Sequence, residues 1–504
     1  MAATIYAQEV GWETVQAEFA GLKEYVVSAA GQAQLHEAEE GVYRRLLQLG
    51  RALLERYAVA SGTGHTPGAP PTVDGQPLAY KGLQTVEYLS IFGPVALTRA
   101  AYACADGGYV YPMDQQWNRP ERKYSYLLQQ WLQAAASEED YREAAARLHE
   151  VFGFPLVANV PQRLTQAVGG AVEGYYAQAA APKAAAEGSH LAVTADGKGV
   201  RLQRPRAPSN DPHPRRGKGE KRGLKKEAIV TVDYSFDPVP RTPEEMVETC
   251  MRGRTAAACQ QRRDQRQQRR AEGLPEPRAP QQPHVRGTLA GKEAAFEQLV
   301  NRLQRRDPEG RKRLVVLLDG AAALETQLRA RLAAHGLLHL VEAFIVDLWH
   351  VSEYLWEAGT ALFGETHPQR NRWVEDKLRA LLCGRVGRVI GGLRQRLANG
   401  RLRAAQRHAL DKALTYFHNH RHMMAYHTYL ARGYPIATGV VEGACNSLVN
   451  DRMEQSGMRW SVDGAEAMLQ QRAAKHNGDW EDFWAYYMAT ERRRLYPQTL
   501  KVAA

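Results

Sequence analysis

The length, composition and charge of the chain already narrow its class. Its 504 residues predict about two to four domains, and hydrophobic and charged fractions of 44% and 24% are typical of globular rather than collagenous, disordered or membrane-embedded proteins. Lys and Arg outnumber Asp and Glu by 66 to 55, a net charge of +11, which favours a polyanionic partner such as nucleic acid. Five cysteines form no Cys-x-x-Cys pair, and no apolar run suits a signal peptide or a membrane span. We therefore expect a cytoplasmic protein without a membrane partner.

The N-terminal part predicts helices followed by a small β-structure. Apolar residues at helical spacing predict two helices within residues 12–58, in a first region of residues 1–60. After a Gly/Pro-rich linker, alternating apolar and polar residues from Thr85 to Tyr102 predict a β-hairpin around Gly93-Pro94. Linker and hairpin form a second region, residues 61–123.

Residues 124–185 form a third predicted region, which is helical. The turn between Gly153 and Pro161 lies between two short amphipathic helices and is typical of a helix-turn-helix, the element that places a helix in the DNA major groove. An ordinary helical bundle fits the same pattern. This region is our candidate for sequence-specific DNA binding.

The composition then changes to an α/β pattern over residues 186–350. Apolar strands without alternation, such as Leu314–Leu318 and Ala343–Val346, indicate a sheet that is covered on both faces by helices. The sequence predicts helices throughout residues 351–432. Residues 433–504 then predict a turn, a helix and further C-terminal helices.

Two basic segments interrupt the α/β region, residues 204–226 and 252–286. Their Lys and Arg side chains are suited to phosphate contacts, which supply affinity without sequence choice, although solvated charge is an equally simple explanation. The candidate DNA-contacting residues of the first segment are Arg215, Arg216, Lys218, Lys221, Arg222, Lys225 and Lys226.

Two carboxylates are predicted at the ends of strands. Asp196 and Asp319 each end a predicted strand, and a glycine follows each. The carboxyl edge of an α/β sheet is where ligands collect, and glycine permits close approach to the backbone. The alternative for each Asp-Gly pair is a simple turn.

A third carboxylate is predicted at the start of a helix. Glu442 follows a Gly-containing turn, and Asn446 and Asn450 lie on the same helical face at a spacing of four residues. A favourable interaction with the helix dipole is the alternative role for Glu442. Three carboxylates would suit Mg²⁺, and a pair of such ions about 3.5–4 Å apart promotes phosphodiester displacement.

Several segments resemble the marker segments of bacterial ISKra-type insertion-sequence transposases, in the order found in that family. The segments are DGKG at 196–199, LLDGAAAL at 317–324, DLWHVSEYLW at 347–356 and PIATGVVEGACNSLVNDRMEQSGMRWS at 435–461. Residues 49–57 and 91–104 also resemble the N-terminal part of that family. The hairpin region departs from the family because it has Cys104 where members often carry Cys-x-x-Cys, so we expect a degenerate zinc-ribbon-like hairpin without zinc.

The resemblance implies a multidomain fold with a defined activity. An α-helical N-terminal DNA-binding region with a small β-hairpin would precede an α/β ribonuclease H-like catalytic domain of the DDE class, interrupted by an all-α insertion. Asp196, Asp319 and Glu442 would be the catalytic and metal-binding triad, holding two Mg²⁺ ions, with Mn²⁺ as a substitute. The protein would bind terminal inverted repeats, cleave DNA and transfer the freed 3′-hydroxyl to target DNA.

The same resemblance implies partners and further contacts. The partners would be double-stranded DNA of transposon ends and target, within a nucleoid-associated homodimer or larger assembly. His350 would place a phosphate, Trp349 would stack on a base, and Arg452 and Arg459 would contact the DNA backbone. A hydrogen-bonded His and ordinary helix packing are the alternatives. A domesticated, non-catalytic DNA-binding protein and a ribonuclease H-like nuclease are the alternative functions.

Overall fold

The chain forms two compact units in a computed structural model. One unit contains residues 1–177 and 478–504, and the other contains residues 178–477. None of the helices in the described part of the chain is long and apolar enough to span a membrane. The structure describes residues 12–497 apart from residues 74, 105–106, 184–185, 204–223, 253–259, 261–262, 265–266, 269–270, 274–278 and 400.

Two long helices open the first unit, where the sequence predicts them. They are α1 (Trp12–Ala29) and α2 (Leu35–Ala60), and they pack against each other. The Tyr25 ring of α1 lies against Gly41 of α2, and the Arg45 guanidinium lies 3.7 Å from the centre of that ring. The small glycine and the cation–π contact hold the two helices together.

A β-hairpin follows the two helices. Its long strands are β3 (Ala79–Ser90) and β4 (Gly93–Ala103). The turn is at Ile91-Phe92, two residues before the predicted Gly93-Pro94 turn, because Gly93 takes a positive φ of 108° and begins the return strand. The short strands beside the hairpin are β1 (Thr72–Val73), β2 (Gln76–Pro77) and β5 (Tyr109–Val110).

Helices complete the first unit and bury their apolar faces together. Leu128, Leu148 and Leu164, from three of these helices, share one core cluster. Asp140 caps its helix by accepting the N–H groups of residues 142 and 143, and Gly153 ends that helix with a φ of 77°. The helices are α3 (Pro112–Gln116), α4 (Tyr126–Ala136), α5 (Tyr141–Phe152), α6 (Asn159–Gly170), α7 (Val172–Gln178) and the C-terminal helix Trp480–Leu495.

A five-stranded mixed sheet forms the centre of the second unit. The spatial order is β10-β9-β6-β7-β8. Strands β6, β7 and β8 are antiparallel neighbours, whereas β6, β9 and β10 run parallel. The strands are β6 (His190–Leu202), β7 (Leu224–Phe236), β8 (Gln281–Thr288), β9 (Arg313–Leu318) and β10 (Val341–Val346).

Strand β6 differs from its prediction. The sequence predicts a strand that ends at Asp196 and a second run at Val200–Gln203, whereas one strand runs through Asp196 as far as Leu202. Antiparallel pairing with β7 carries β6 past the end of β9, where its parallel pairing stops at Ala195. Asp196 therefore lies within β6, directly after the last residue of β6 that pairs with β9.

Helices surround this sheet, and the predicted all-helical stretch after β10 is present. Thr242 and Glu245 form a capping box at the first of these helices, with N···O distances of 2.7 and 3.2 Å. The helices are α8 (Pro243–Arg252), α9 (Lys292–Arg306), α10 (Ala322–Ala334), α11 (Leu348–Phe363), α12 (Pro368–Leu382), α13 (Val386–Asn399), α14 (Ala404–His420), α15 (Tyr426–Ala431), α16 (Gly439–Cys445) and α17 (Val462–His476).

A buried ion network fixes helix α9 to the sheet. The Asp233 carboxylate on β7 has no exposed surface, and it accepts hydrogen bonds of 2.8 Å from both Arg302 and Arg306 of α9. Burial alone would raise the pKa of Asp233, but the two guanidinium charges lower it to about 2. The network pairs a charge that would otherwise be costly to bury.

Candidate active site

Three acidic residues lie in a row at the carboxyl edge of the sheet. In the parallel part of the sheet, Leu318 of β9 pairs with Ala195 of β6 and with Val346 of β10. The residue that follows each of these positions is Asp196 within β6, Asp319 directly after β9 or Asp347 directly after β10, and adjacent strands of a sheet lie about 4.8 Å apart. The structure thus brings the two aspartates of the predicted triad side by side.

Asp196 contacts the helix that carries the third predicted residue. Its Oδ1 accepts the N–H of Gly197 at 2.7 Å. The Cys445 thiol, at the end of α16, lies near the same carboxylate. Burial, and next the negative charge of Asp196, raises the pKa of that thiol well above its usual value. Cys445 therefore stays a neutral thiol beside Asp196.

Asp319 begins a turn that a tyrosine of helix α14 holds in place. Its Oδ1 accepts the N–H of Ala321 at 2.8 Å, and Gly320 between them has a φ of 94°. The Tyr416 hydroxyl on α14 donates to the Asp319 carbonyl oxygen at 2.7 Å. A Cβ atom on Gly320 would lie 2.7 Å from that hydroxyl, so the glycine is needed for this approach.

Tyr416 is itself held in a fixed position. Its ring stacks on Tyr354 of α11, with the ring centres 4.0 Å apart. Burial raises the pKa of Tyr416 far above its usual value, and the neighbouring Tyr354 and Asp319 raise it further. The hydroxyl therefore remains a hydrogen-bond donor at neutral pH. Helix α14 thus supports Asp319 directly after β9.

Asp347 anchors two helices to the sheet edge. Its carboxylate is completely buried and caps α11 by accepting the N–H groups of Trp349 and His350 at 3.2 and 3.4 Å. It also accepts the N–H of Thr438 at 3.0 Å, and Thr438 is the residue before α16. Asp347 therefore positions the start of the helix that carries Glu442.

Glu442 lies in the first turn of α16, as predicted, and its surroundings are acidic. Glu442 is an exposed residue, but the protein around it partly excludes water from the carboxyl and raises its pKa above the usual value, and the charges of Asp347 and Glu353 raise it further. His350 lowers this pKa, and Asp196 raises it. Glu442 therefore shares one electrostatic environment with the aspartates on β6 and after β10.

A short π-helix follows directly after α16. It covers Asn446–Asn450, and the Asn450 side-chain amide donates to Asn446 Oδ1 at 2.7 Å. The two asparagines therefore lie on one face, as their spacing predicts. Single π-helical turns inside a helix occur frequently at functional sites, because the extra residue changes the direction of the side chains that follow.

The donor chemistry of this cluster suits a hard divalent cation. Asp196, Asp319 and Glu442 offer carboxylate oxygens, the ligands that Mg²⁺ prefers. Within the described ranges, no group of three His, Cys, Asp or Glu side chains is arranged to hold a metal ion. The raised pKa of Glu442 reflects burial and then repulsion among carboxylates, which a divalent cation would relieve. The residue types fit Mg²⁺ chemically.

The predicted DNA-contacting residues fall into three groups. Lys225, Lys226 and Arg459 are exposed, and Lys225 forms a 3.8 Å ion pair with Glu454. The residues Arg215, Arg216, Lys218, Lys221 and Arg222 lie outside the described residues.

The third group contains Trp349 and His350, which lie near the candidate site, and Arg452, which lies in the interior. Trp349 and the His350 ring are partly exposed, and His350 lies 3.8 Å from Glu353. Arg452 is only 1% exposed, and its guanidinium lies 4.8 Å from the centre of the buried Trp460 ring. The structure thus corrects the expectation that Arg452 is available for a DNA contact, because its charge is used in packing.

Sequence patterns did not reveal Tyr416 or Cys445. Tyr416 lies 97 residues from Asp319, within a long helical stretch that has no motif of its own. Cys445 was noted only as one of five cysteines. Its position three residues after Glu442, on the same face of α16, is the one local signal that would have found it.

Comparison with known proteins does not assign this chain to a family. The sequence matches no protein-family model and no curated protein.

Proposed function

We propose that this protein is a DDE transposase of the ISKra type, with a ribonuclease H-like catalytic domain. It would bind the terminal inverted repeats of its element, cleave the DNA there and transfer the freed 3′-hydroxyl to target DNA. The observation that carries the proposal is the acidic row at the carboxyl edge of the mixed sheet, with Glu442 on a helix tied to the same edge by Asp347.

The strand order supports the fold part of the proposal. Numbered along the chain, the five strands lie in the order 3-2-1-4-5, with the first three antiparallel and the fourth and fifth parallel to the first. Ribonuclease H-like domains have this order. In the DDE class, the first acidic residue lies on the first strand, the second after the fourth strand and the third on a later helix. Asp196 on β6, Asp319 directly after β9 and Glu442 on α16 support the assignment of this triad.

The side chains have distinct roles in the proposed reaction. Asp196 and Asp319 face the scissile phosphate from adjacent strands, and Glu442 approaches from α16. Bound Mg²⁺ would activate the attacking oxygen and stabilise the leaving oxygen, and these three carboxylates would hold it. The Tyr416 hydroxyl donates to the Asp319 carbonyl oxygen and fixes the backbone there. This contact limits the positions that Asp319 can take.

One site suffices for both chemical steps. In cleavage, a water oxygen forms a bond to phosphorus while the bond from phosphorus to the 3′-oxygen breaks, which leaves a 3′-hydroxyl and a 5′-phosphate. In strand transfer, that 3′-oxygen forms a bond to a target phosphorus, and the target's own 3′-oxygen leaves with a proton. Each step is an in-line displacement at phosphorus and uses no covalent bond to the protein.

Strand transfer with purified protein tests the proposal. The substrate is a labelled duplex from an end of the genetic element that carries the gene, mixed with plasmid and Mg²⁺ or Mn²⁺. We expect the label to join the plasmid with wild-type protein. Glu442→Gln should abolish joining and cleavage while leaving binding of the end duplex unchanged, because it removes only the negative charge. Glu357→Gln, at an exposed carboxylate of α11 paired with Lys412, is the matched control and should remain active.

The outcomes separate the rival functions. Cleavage without joining would indicate a ribonuclease H-like nuclease, and binding without either step would indicate a DNA-binding protein that has lost catalysis. Joining that persists in Glu442→Gln would remove Glu442 from the site. A wild-type protein that neither binds the end duplex nor cleaves it would contradict the proposal as a whole.

A further inference from the structure

Helix α13 and the start of α14 carry a strongly basic surface. Residues 385–407 contain seven Arg and no Lys, Asp or Glu, and all seven Arg are exposed. We call these seven side chains the arginine surface. They lie outside the two basic segments, residues 204–226 and 252–286, that the sequence marks as candidates for phosphate contacts.

The charge of the arginine surface is not neutralised within the described part of the chain. None of its guanidinium groups forms an ion pair with a carboxylate of the described residues. Arg388 helps to lower the pKa of Asp376, but Lys377 already pairs with that carboxylate at 2.8 Å. The other contacts are those of Arg394 Nη2 with His418 Nδ1 at 3.4 Å, Arg407 Nη1 with the Leu397 carbonyl oxygen at 3.4 Å and Arg396 with the Phe363 ring, 5.7 Å from its centre.

The exposed side of α13 is open between these arginines. The opposite side, with Val389 and Leu393, is buried in the core, so the arginines face solvent. Gly391 and Gly392 lie on the exposed side, and a Cβ atom at either position would meet no other atom within 4 Å. Glycine weakens a helix, but it lets another molecule approach the backbone closely. The arginines therefore border a strip of backbone that a ligand can reach.

Phosphate groups are the ligands that this surface fits. The planar guanidinium group offers paired N–H donors that match two phosphate oxygens, and it keeps its charge at every pH at which proteins are studied. Seven such groups without an acidic residue between them attract a ligand that carries many negative charges. A nucleic acid backbone has this character, with one phosphate at each nucleotide.

The position of the surface favours DNA that is held at the candidate active site. Arg407 lies nine residues before Tyr416 on α14, which is about 14 Å along the helix axis at about 1.5 Å per residue. Tyr416 contacts Asp319. A DNA duplex extends about 3.4 Å per base pair, so DNA at Asp319 covers this distance within about four base pairs. The arginine surface is therefore separate from the three acidic residues but close enough to share one duplex with them.

We infer that the arginine surface binds the phosphate backbone of duplex DNA without regard to base sequence. The inference rests on the proposed function, which supplies the DNA. Contacts to phosphate give affinity but carry no sequence information, so this surface holds a transposon end and an unrelated duplex equally. It adds a DNA contact on the helical stretch after β10 to those expected from residues 1–185 and from the segment 204–226.

Binding of two labelled duplexes to the full-length chain tests the surface. One duplex is an end of the genetic element, and the other has a scrambled sequence of the same length. Both are measured without divalent cations at several salt concentrations. Arg388→Gln/Arg394→Gln/Arg396→Gln should weaken the binding of both duplexes alike. The slope of log K against log salt concentration should become shallower by up to about 2.7, because each lost phosphate contact removes about 0.9.

The matched control removes three positive charges that already have partners. Arg329, Arg379 and Lys412 have side chains that are 44%, 44% and 45% exposed, and each pairs with a glutamate. Arg329→Gln/Arg379→Gln/Lys412→Gln lowers the net charge of the chain by the same amount but should leave the salt dependence of binding unchanged. Circular dichroism of both variants confirms folding, which substitutions at exposed positions should preserve.

The outcomes separate this inference from the proposed function. Equal salt dependence for wild type and the arginine variant, a loss confined to the end duplex, or a wild type that binds neither duplex would each overturn the inference. Normal duplex binding with lost binding to phosphatidylserine vesicles would assign the surface to acidic lipid and would overturn it as well. A shallower salt dependence in the arginine variant supports the inference even if wild type joins no DNA, a result that would contradict only the proposed function.

Discussion

Replacement of Asp347 by Ala tests how the structure positions Glu442. Asp347 is completely buried, and its carboxylate accepts three backbone N–H groups. Two of them belong to the first turn of α11, and the third belongs to Thr438, immediately before α16. The substitution removes the cap of one helix and the tie that holds the other to the sheet.

The expected loss of stability follows from these contacts. Removal of an N-cap carboxylate costs about 1 kcal/mol. The buried N–H of Thr438 loses a charged acceptor, which costs about 1.5–3 kcal/mol. We therefore expect Asp347→Ala to lower the free energy of unfolding by about 3 kcal/mol. Glu442 should also lose its fixed position, so strand transfer should fall even where the variant remains folded.

Urea unfolding at neutral pH measures this loss, and another N-cap serves as the control. Asp140 caps α5 by accepting the N–H groups of Arg142 and Glu143 at 2.8 and 2.9 Å, but it makes no tie to a second helix. Asp140→Ala should therefore cost about 1 kcal/mol. Equal losses for the two variants would refute the assignment of Asp347 as the anchor of α16.

Two further predictions concern Tyr416 and Asp233. Tyr416→Phe removes the 2.7 Å hydrogen bond to the Asp319 carbonyl, so the free energy of unfolding should fall by about 1 kcal/mol and strand transfer should slow. Tyr429→Phe is the control, because it removes only a 3.4 Å contact and should leave the rate of strand transfer unchanged. Equal rates for these variants would remove Tyr416 from its positioning role. Because folding lowers the pKa of Asp233 from 3.8 to about 2, its charge stabilises the fold by about 2 kcal/mol above pH 4, and this contribution disappears as the pH falls towards 2. Unfolding from pH 7 to 3 should show wild type losing about half of its advantage over Asp233→Asn, and a constant difference would contradict the network.

Local sequence patterns predicted the strands that are buried on both faces. Leu314–Leu318 and Ala343–Val346 lie within the observed β9 and β10, because a short apolar run can be buried only between two layers of helices. The helical nature of residues 351–432 followed equally from its apolar periodicity. These features depend on residues close together in the sequence.

Local sequence patterns did not predict the features that depend on contacts between residues far apart in the sequence. Strand β6 continues past Asp196 because β7 pairs with it, and that pairing spans the segment 204–223. Tyr416 supports Asp319 from another helix, with no signature in its own segment. Arg452 stands in a segment that resembles a family motif, but its burial against Trp460 depends on how the chain folds back. A motif identifies a residue without stating whether solvent reaches it.

Titration with Mn²⁺, followed by electron paramagnetic resonance, tests the central claim most directly. The claim is that Asp196, Asp319 and Glu442 form one site for divalent cations. The account predicts that the wild-type chain binds Mn²⁺ and that Asp196→Asn and Glu442→Gln each weaken this binding, although the two residues are far apart in the sequence. Identical Mn²⁺ binding by wild type and both variants would contradict it.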